Sequence, residues 1–446
     1  MDIIALLSVL SQCVDETTLK RMSVIVKALV TMSGRVTMRG ISRWTEEGGS
    51  YRTVQRFYTT KIPWSQVMWT FFRKYQYDEE SEYVLAGDES VVTKAGKETY
   101  GLDRFFSSIY GRPVKGLAFL ALSVVSVKER KSYPLKVEQV VRSEEEKAVI
   151  EEKKRKRSAK KGKQSKSKGK VGRPKGRKNK DKRQIEWNEE LSRVKRMASD
   201  LLSYINPLCA VRYFVLDGHF GNNNVMQMVR QCLSMHIISK LRYDSSLYFL
   251  YDGPQKSKGP KRIYGSKIDY QNIPLRYRVS TTTEDRVRTD IFQATMLHKS
   301  FADMLNVVII VKYHLDTQKQ ARVLLFSSDL DLDYAKLIDF YRLRFQIEFN
   351  FRDAKQFWGF EDFMNVSQTP ITNSVGLSFF MVNLSAYLLA HFRQHSPTCG
   401  LLDLKAHFLA QRFAFEALKL LPDSLDPILF QHLLRDMPPL GAIHSD

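Results

Sequence analysis

Tyr341, Arg344, Glu348 and Lys355 follow one another as Tyr-x2-Arg-x3-Glu-x6-Lys. At about 100° per residue of α-helix, with Tyr341 at zero, Arg344 falls near 300°, Glu348 near 340° and Lys355 near 320°, so all share an arc about 60° wide. The other sides of the same segment carry Phe340, Leu343, Phe345, Ile347, Phe349 and Phe351, so little of this helix is built to face water. A charged stripe on a largely buried helix needs partners, because an unpaired buried charge is too costly to persist. A divalent metal for Glu348 and phosphates for Arg344 and Lys355 would supply them. An internal Arg344–Glu348 pair at i,i+4 would also serve, and spacing alone does not choose.

Two isolated aspartates bear on that choice. Asp88 follows Val84-Leu85-Ala86-Gly87 inside an apolar strand, and Asp217 ends Tyr213-Phe214-Val215-Leu216. Carboxylates are rarely buried unless paired or bound to metal, and acids at strand ends of an α/β sheet line its functional edge. Each alone could simply terminate a strand. Together, Asp88, Asp217 and Glu348 make an all-oxygen ligand set suited to Mg²⁺, with Mn²⁺ as a substitute. Two such ions about 3.5 to 4 Å apart can activate a water or 3′-hydroxyl and stabilise the leaving oxygen of a phosphodiester. No Walker loop, GxSxG or HExxH is present, the nine histidines show no ligand spacing, and the four cysteines form no CxxC pair, which excludes the usual zinc and iron–sulfur frameworks.

The elements that must hold these residues are readable in outline. The chain has 446 residues, enough for two to four domains at roughly 100 to 200 residues each. Residues 1–80 read as a helical, helix-turn-helix-like DNA-binding domain, with Ser50 capping a helix that bears Arg52 and Arg56. From Glu82 strands and helices alternate, predicting an α/β domain with a mixed sheet over 81–243 and 331–365. Residues 244–330 read as a β-rich insertion, Tyr334 to about Phe357 as one long helix, and 366–446 as a helical C-terminal region. The most apolar stretch, Leu377 to Phe392, falls short of the roughly 20 residues a bilayer span needs and reads as a buried helix.

The net charge of +22 is concentrated. Residues 153–183 hold 18 Lys and Arg against one acid, Asp181, and have too few apolar residues to offset their ordering entropy, so disorder is expected. Within them Gly172-Arg173-Pro174-Lys175-Gly176-Arg177 resembles an AT-hook, placing Arg173, Lys175 and Arg177 as DNA contacts. General phosphate-backbone binding is the broader reading.

With Tyr83 to Asp88, Val215-Leu216-Asp217-Gly218-His219-Phe220 and the Tyr341 to Lys355 signature, the chain resembles the prokaryotic insertion-sequence DDE transposases that bear a YREK motif. The likeness runs over roughly residues 82–365. It implies an RNase H-like fold, with Asp88, Asp217 and Glu348 as catalytic metal ligands for two Mg²⁺ ions, and with Tyr341, Arg344 and Lys355 on DNA phosphates. It further implies cleavage and strand transfer at terminal inverted repeats, joining to double-stranded target DNA, a homodimer or larger assembly on DNA, and a cytoplasmic, nucleoid-associated protein with no membrane partner. Relatives that cleave through hairpins stack a flipped base on a Trp in the β-insertion. No Trp lies between Asp217 and Glu348, leaving Tyr248, Phe249 and Phe292 as the aromatic candidates. A catalytically silent DNA-binding protein, or an RNase H-like endonuclease without strand transfer, would be the alternatives.

Overall fold

The computed structural model describes residues 2–45, 48–107, 109–162, 181–418, 428 and 431–432. Five helices open the chain: α1 (Ile3–Leu7), α2 (Glu16–Thr31), α3 (Met38–Trp44), α4 (Tyr51–Thr59) and α5 (Trp64–Tyr75). Polar side chains start most of them. Asp15 accepts from Thr18 N–H at 2.9 Å, Thr37 from Gly40 N–H at 3.0 Å and Ser50 from Thr53 N–H at 3.3 Å, each satisfying an amide that the first turn leaves without a partner. On α4, Val54, Phe57 and Tyr58 face inward while Arg52 and Arg56 stay exposed.

The first sheet strands are β1 (Tyr83–Thr93), β2 (Asp103–Ser107), β3 (Arg112–Ser126) and β4 (Lys131–Val140). After helices α6 (Glu144–Gly162) and α7 (Glu189–Ile205) come β5 (Tyr213–Val215), α8 (Asn223–Leu233) and β6 (His236–Leu241). The order β4-β3-β1-β5-β6, with β3 antiparallel and β5 parallel to β1 and β6 parallel to β5, is the RNase H-like arrangement. The fold is thus the expected α/β class.

Strands β7 (Leu247–Leu250), β8 (Tyr264–Lys267), β9 (Arg278–Glu284), β10 (Val287–His298), β11 (Leu305–His314) and β12 (Gln320–Ser327) follow. They extend the same sheet, because β12 pairs antiparallel with β6 and passes the ladder on through β11 and β10. Apolar periodicity marks where strands lie but carries no information about which edge they join.

Helices α9 (Tyr334–Leu343), α10 (Gln346–Phe357), α11 (Gln368–Phe392) and α12 (Leu401–Leu418) complete the described chain. The single long helix expected over 334–357 is broken at Arg344–Phe345. Three amides, of Phe345, Ile347 and Glu348, reach back three residues instead of four, a local overwinding that apolar spacing does not register. Helix α11 is long and apolar enough to cross a bilayer. It lies instead in the protein core, as expected, and its buried Asn373, Ser374, Ser378 and Asn383 all bond to protein groups.

The basic insert departs from expectation at both ends. Residues 153–162 continue α6, where Glu151–Arg155 and Glu152–Lys156 pairs at i,i+4 supply the local support. At the far end Arg183 pairs with Asp303 at 3.1 Å. Arg173, Lys175 and Arg177 lie outside the described residues.

Candidate active site

Side chains alternate across a strand, so Val84, Ala86 and Asp88 share one face of β1. That face is covered by Leu337, Phe340 and Leu343 of α9 in a shared apolar cluster with Val215 and Ile238. Gly87 keeps β1 close to its neighbours, since a Cβ there would stand 3.0 Å from Leu122 and 3.2 Å from Leu216. Leu216 in turn leads directly into Asp217. The packing that seats β1 therefore also fixes the end of β5.

Asp217 sits in a tight turn. Its carboxylate accepts from His219 N–H at 3.1 Å, its carbonyl accepts from the Ser239 hydroxyl at 2.7 Å, and Leu216 N–H donates to Ile238. Gly221 allows the turn to close, because a Cβ there would lie 2.4 Å from the Lys240 carbonyl. On the opposite side, Asn350 of α10 donates to the hydroxyls of Ser132 at 2.8 Å and Ser123 at 3.3 Å. These buried bonds anchor α10 to β3 and β4 two residues beyond Glu348.

Arg344 ties the parts together. Its guanidinium reaches Asp88 Oδ2 at 3.2 Å and Glu348 Oε1 at 3.1 Å, and only 14% of the side chain is exposed. Burial pushes the Asp88 carboxyl upward, Arg344 opposes this, and the charges of Asp217 and Glu348 add to the rise. Burial also raises the Tyr341 phenol, with Arg344 opposing and Asp217 and Glu348 reinforcing the rise. Asp88, Asp217, Glu348, Tyr341 and Arg344 therefore occupy one electrostatic neighbourhood beside the middle of β1 and the end of β5. Burial would weaken the Arg344 charge, but Asp88, Tyr341 and Glu348 more than compensate.

Lys355 stands apart from that neighbourhood. It lies seven residues beyond Glu348, roughly 10 Å along the helix axis, and pairs with Glu361 at 2.9 Å. Of the aromatic candidates in the insertion, Phe249 and Phe292 are buried, Phe249 stacking on Tyr277 with centroids 4.8 Å apart. Tyr248 is the half-buried one.

A second polar group went unread in the sequence. Glu89 points to the other face of β1, where burial raises its carboxyl and Glu190 adds to the rise against Arg193, Arg142 and His219. His219 meets Glu190 at 2.9 Å, so α7 holds the loop that follows Asp217. The adjacent pair Asp88-Glu89 was the available signal.

The chemistry of Asp88, Asp217 and Glu348 suits a hard cation. In this arrangement two of the three are engaged by Arg344, and among the described residues no three acidic, His or Cys side chains stand close enough to hold a metal.

The family described as DDE superfamily endonuclease matches residues 9–300. The chain belongs to that family. The matched span contains Asp88 and Asp217 and ends before Glu348. Among solved structures, the chain is similar to the piggyBac transposase in its synaptic complex with hairpin DNA. That likeness has 8% identity and a TM-score of 0.40 over 97% of this chain and 78% of that one. No curated protein sequence matches it.

Proposed function

We propose that this DDE superfamily endonuclease is a DNA transposase, cutting at the ends of an insertion sequence and joining them to target DNA by metal-dependent phosphoryl transfer. The observation that carries the reading is Arg344 shared between Asp88 and Glu348, with Asp217 close enough to influence Asp88. These three carboxylates would hold Mg²⁺, or Mn²⁺ in its place. A pair of such ions supplies activation of the attacking water or 3′-hydroxyl and charge neutralisation at the leaving oxygen. Arg344 neutralises the carboxylates before substrate arrives and would transfer its fork to a DNA phosphate, for which its planar geometry is suited. Tyr341 orients Arg344, and Lys355 would meet a phosphate farther along the strand. Arg52 and Arg56, exposed on α4, would contact DNA, and the 153–183 insert would add nonspecific attraction. A homodimer or larger assembly in a prokaryotic cytoplasm completes the reading.

The test is an excision and joining assay in Mg²⁺, with DNA flanking the source gene as donor. Joined products support transposition. The family description favours a second reading, an endonuclease that cuts without joining, and cleaved ends with no joined product would select it.

Two further results are expected. Arg344→Gln should lower the melting temperature, because removing the guanidinium leaves two carboxylates without their partner, a loss of up to about 3 kcal/mol. Mn²⁺ should restore part of that loss in the variant while shifting the wild type little. Equal Mn²⁺ shifts in both proteins would remove Arg344 from its neutralising role. Deleting residues 163–180 should flatten the salt dependence of duplex binding, since each phosphate contact contributes about 0.9 to the logarithmic slope. An unchanged slope would exclude the insert from backbone binding.

A further inference from the structure

The ribbon formed by β2 and β3 is built in two unlike faces. In the register Arg104↔Lys115 and Phe106↔Pro113, paired residues point the same way, so these four share a face and all are exposed. Phe105, on the other face, is buried beneath the Arg142 guanidinium, 4.3 Å from its ring. Arg142 also holds Asp103 at 3.1 Å and the Arg104 carbonyl at 3.0 Å, so the base of the ribbon is rigid. At the tip the apolar side chains face outward, with Phe106 64% exposed, Ile109 79% and Tyr110 55%.

Three large apolar side chains exposed together at a ribbon tip point to an occupant, and the flanking charge indicates which kind. Arg104, Arg112 and Lys115 form no ion pair with a described residue, whereas the ribbon's acid, Asp103, is already engaged by Arg142. A second copy docked symmetrically would set these cations against their own counterparts. A polyanion with flat apolar faces between its charges satisfies both features, and a two-stranded ribbon fits a groove of duplex DNA.

We propose that the β2–β3 ribbon is a DNA-binding arm, with Arg104, Arg112 and Lys115 on phosphates and Phe106, Ile109 and Tyr110 wedged against bases. The arm departs from the active-site edge. Asp88 pairs with Ala121 on β3, and Arg112 lies nine residues farther along that strand. At about 3.3 Å per residue the tip stands up to about 30 Å from Asp88. It would therefore engage duplex some nine base pairs from the cut phosphodiester, at about 3.4 Å per base pair. This inference rests on DNA being the substrate.

The experiment titrates the full chain into a fluorescein-labelled 40-base-pair duplex at several salt concentrations. Thermal melting checks the fold and sedimentation the oligomeric state. Phe106→Ser/Ile109→Ser/Tyr110→Ser should weaken binding about tenfold at every salt concentration with an unchanged slope, as expected for lost base contact. Arg104→Ala/Arg112→Ala/Lys115→Ala should instead lower the slope by about 2.7. Wild-type binding that neither variant alters overturns the arm and leaves the DNA reading standing. No duplex binding by the wild type overturns both. Loss of self-association in the serine variant at unchanged DNA affinity would make the tip an interface between copies and overturn the proposal.

Discussion

Glu348→Gln is expected to remove DNA cleavage and joining almost completely, by about three orders of magnitude or more, while leaving the protein folded and able to bind DNA. The side chain is 42% exposed and pairs with Arg344 at 3.1 Å. A glutamine keeps the shape and a carbonyl oxygen able to accept from Arg344. What it loses is the negative charge, and with it the ability to hold a hard cation against competing water. Metal assistance contributes several kcal/mol of transition-state stabilisation, and each 1.36 kcal/mol is about tenfold in rate. The measurement is product formation from donor DNA in Mg²⁺, with melting temperature and duplex affinity recorded on the same preparation. Activity above a tenth of wild type, with the fold intact, would exclude Glu348 as an essential ligand.

Much of this arrangement was legible because it rests on local rules. An acid ending an apolar strand, as at Asp217, or interrupting one, as at Asp88, stands out against its neighbours. The Arg344 and Glu348 spacing holds through the break between α9 and α10, since both residues lie within one turn. Lys355 lies seven residues beyond Glu348, where spacing is less informative. Helical arithmetic fixes direction around the axis and not distance along it, and Glu361 returns to Lys355 only because the chain turns at Gly359, whose φ is +74°. The continuation of the sheet from β6 into β12 is a long-range pairing with no local signature. Glu89 went unread because strand alternation assigns it a face without revealing what covers that face.

The largest stability effect is expected where the N-terminal helices meet the rest of the protein, at Asn373 on α11. Its side chain is 1% exposed. Its amide donates to the carbonyls of Tyr58 and Thr60 at 2.7 Å each, and its oxygen accepts from the Trp64 indole N–H at 2.9 Å. The same indole lies against Gly376, one turn along α11, where a Cβ would come within 2.3 Å of the ring. Leucine at 373 has similar bulk but leaves two carbonyls and one indole N–H buried without partners, each costing about 1 to 3 kcal/mol. The expected loss is about 4 kcal/mol, a large fraction of the roughly 5 to 15 kcal/mol typical of a folded domain. Urea unfolding measures it directly, and a midpoint equal to wild type would show that the contact contributes nothing. Because Asn373 grips the end of α4, the helix that carries Arg52 and Arg56, the weakened clamp should also cost duplex affinity below the unfolding midpoint. Phe71 of α5 packs edge-on against Phe380 of α11 at 5.3 Å, and Asn383 of α11 donates to the β4 carbonyl of Pro134 at 2.7 Å. Through these contacts α4, the helix proposed to meet DNA, and the carboxylate-bearing sheet are held by one buried helix, so loosening Asn373 should separate binding from cleavage.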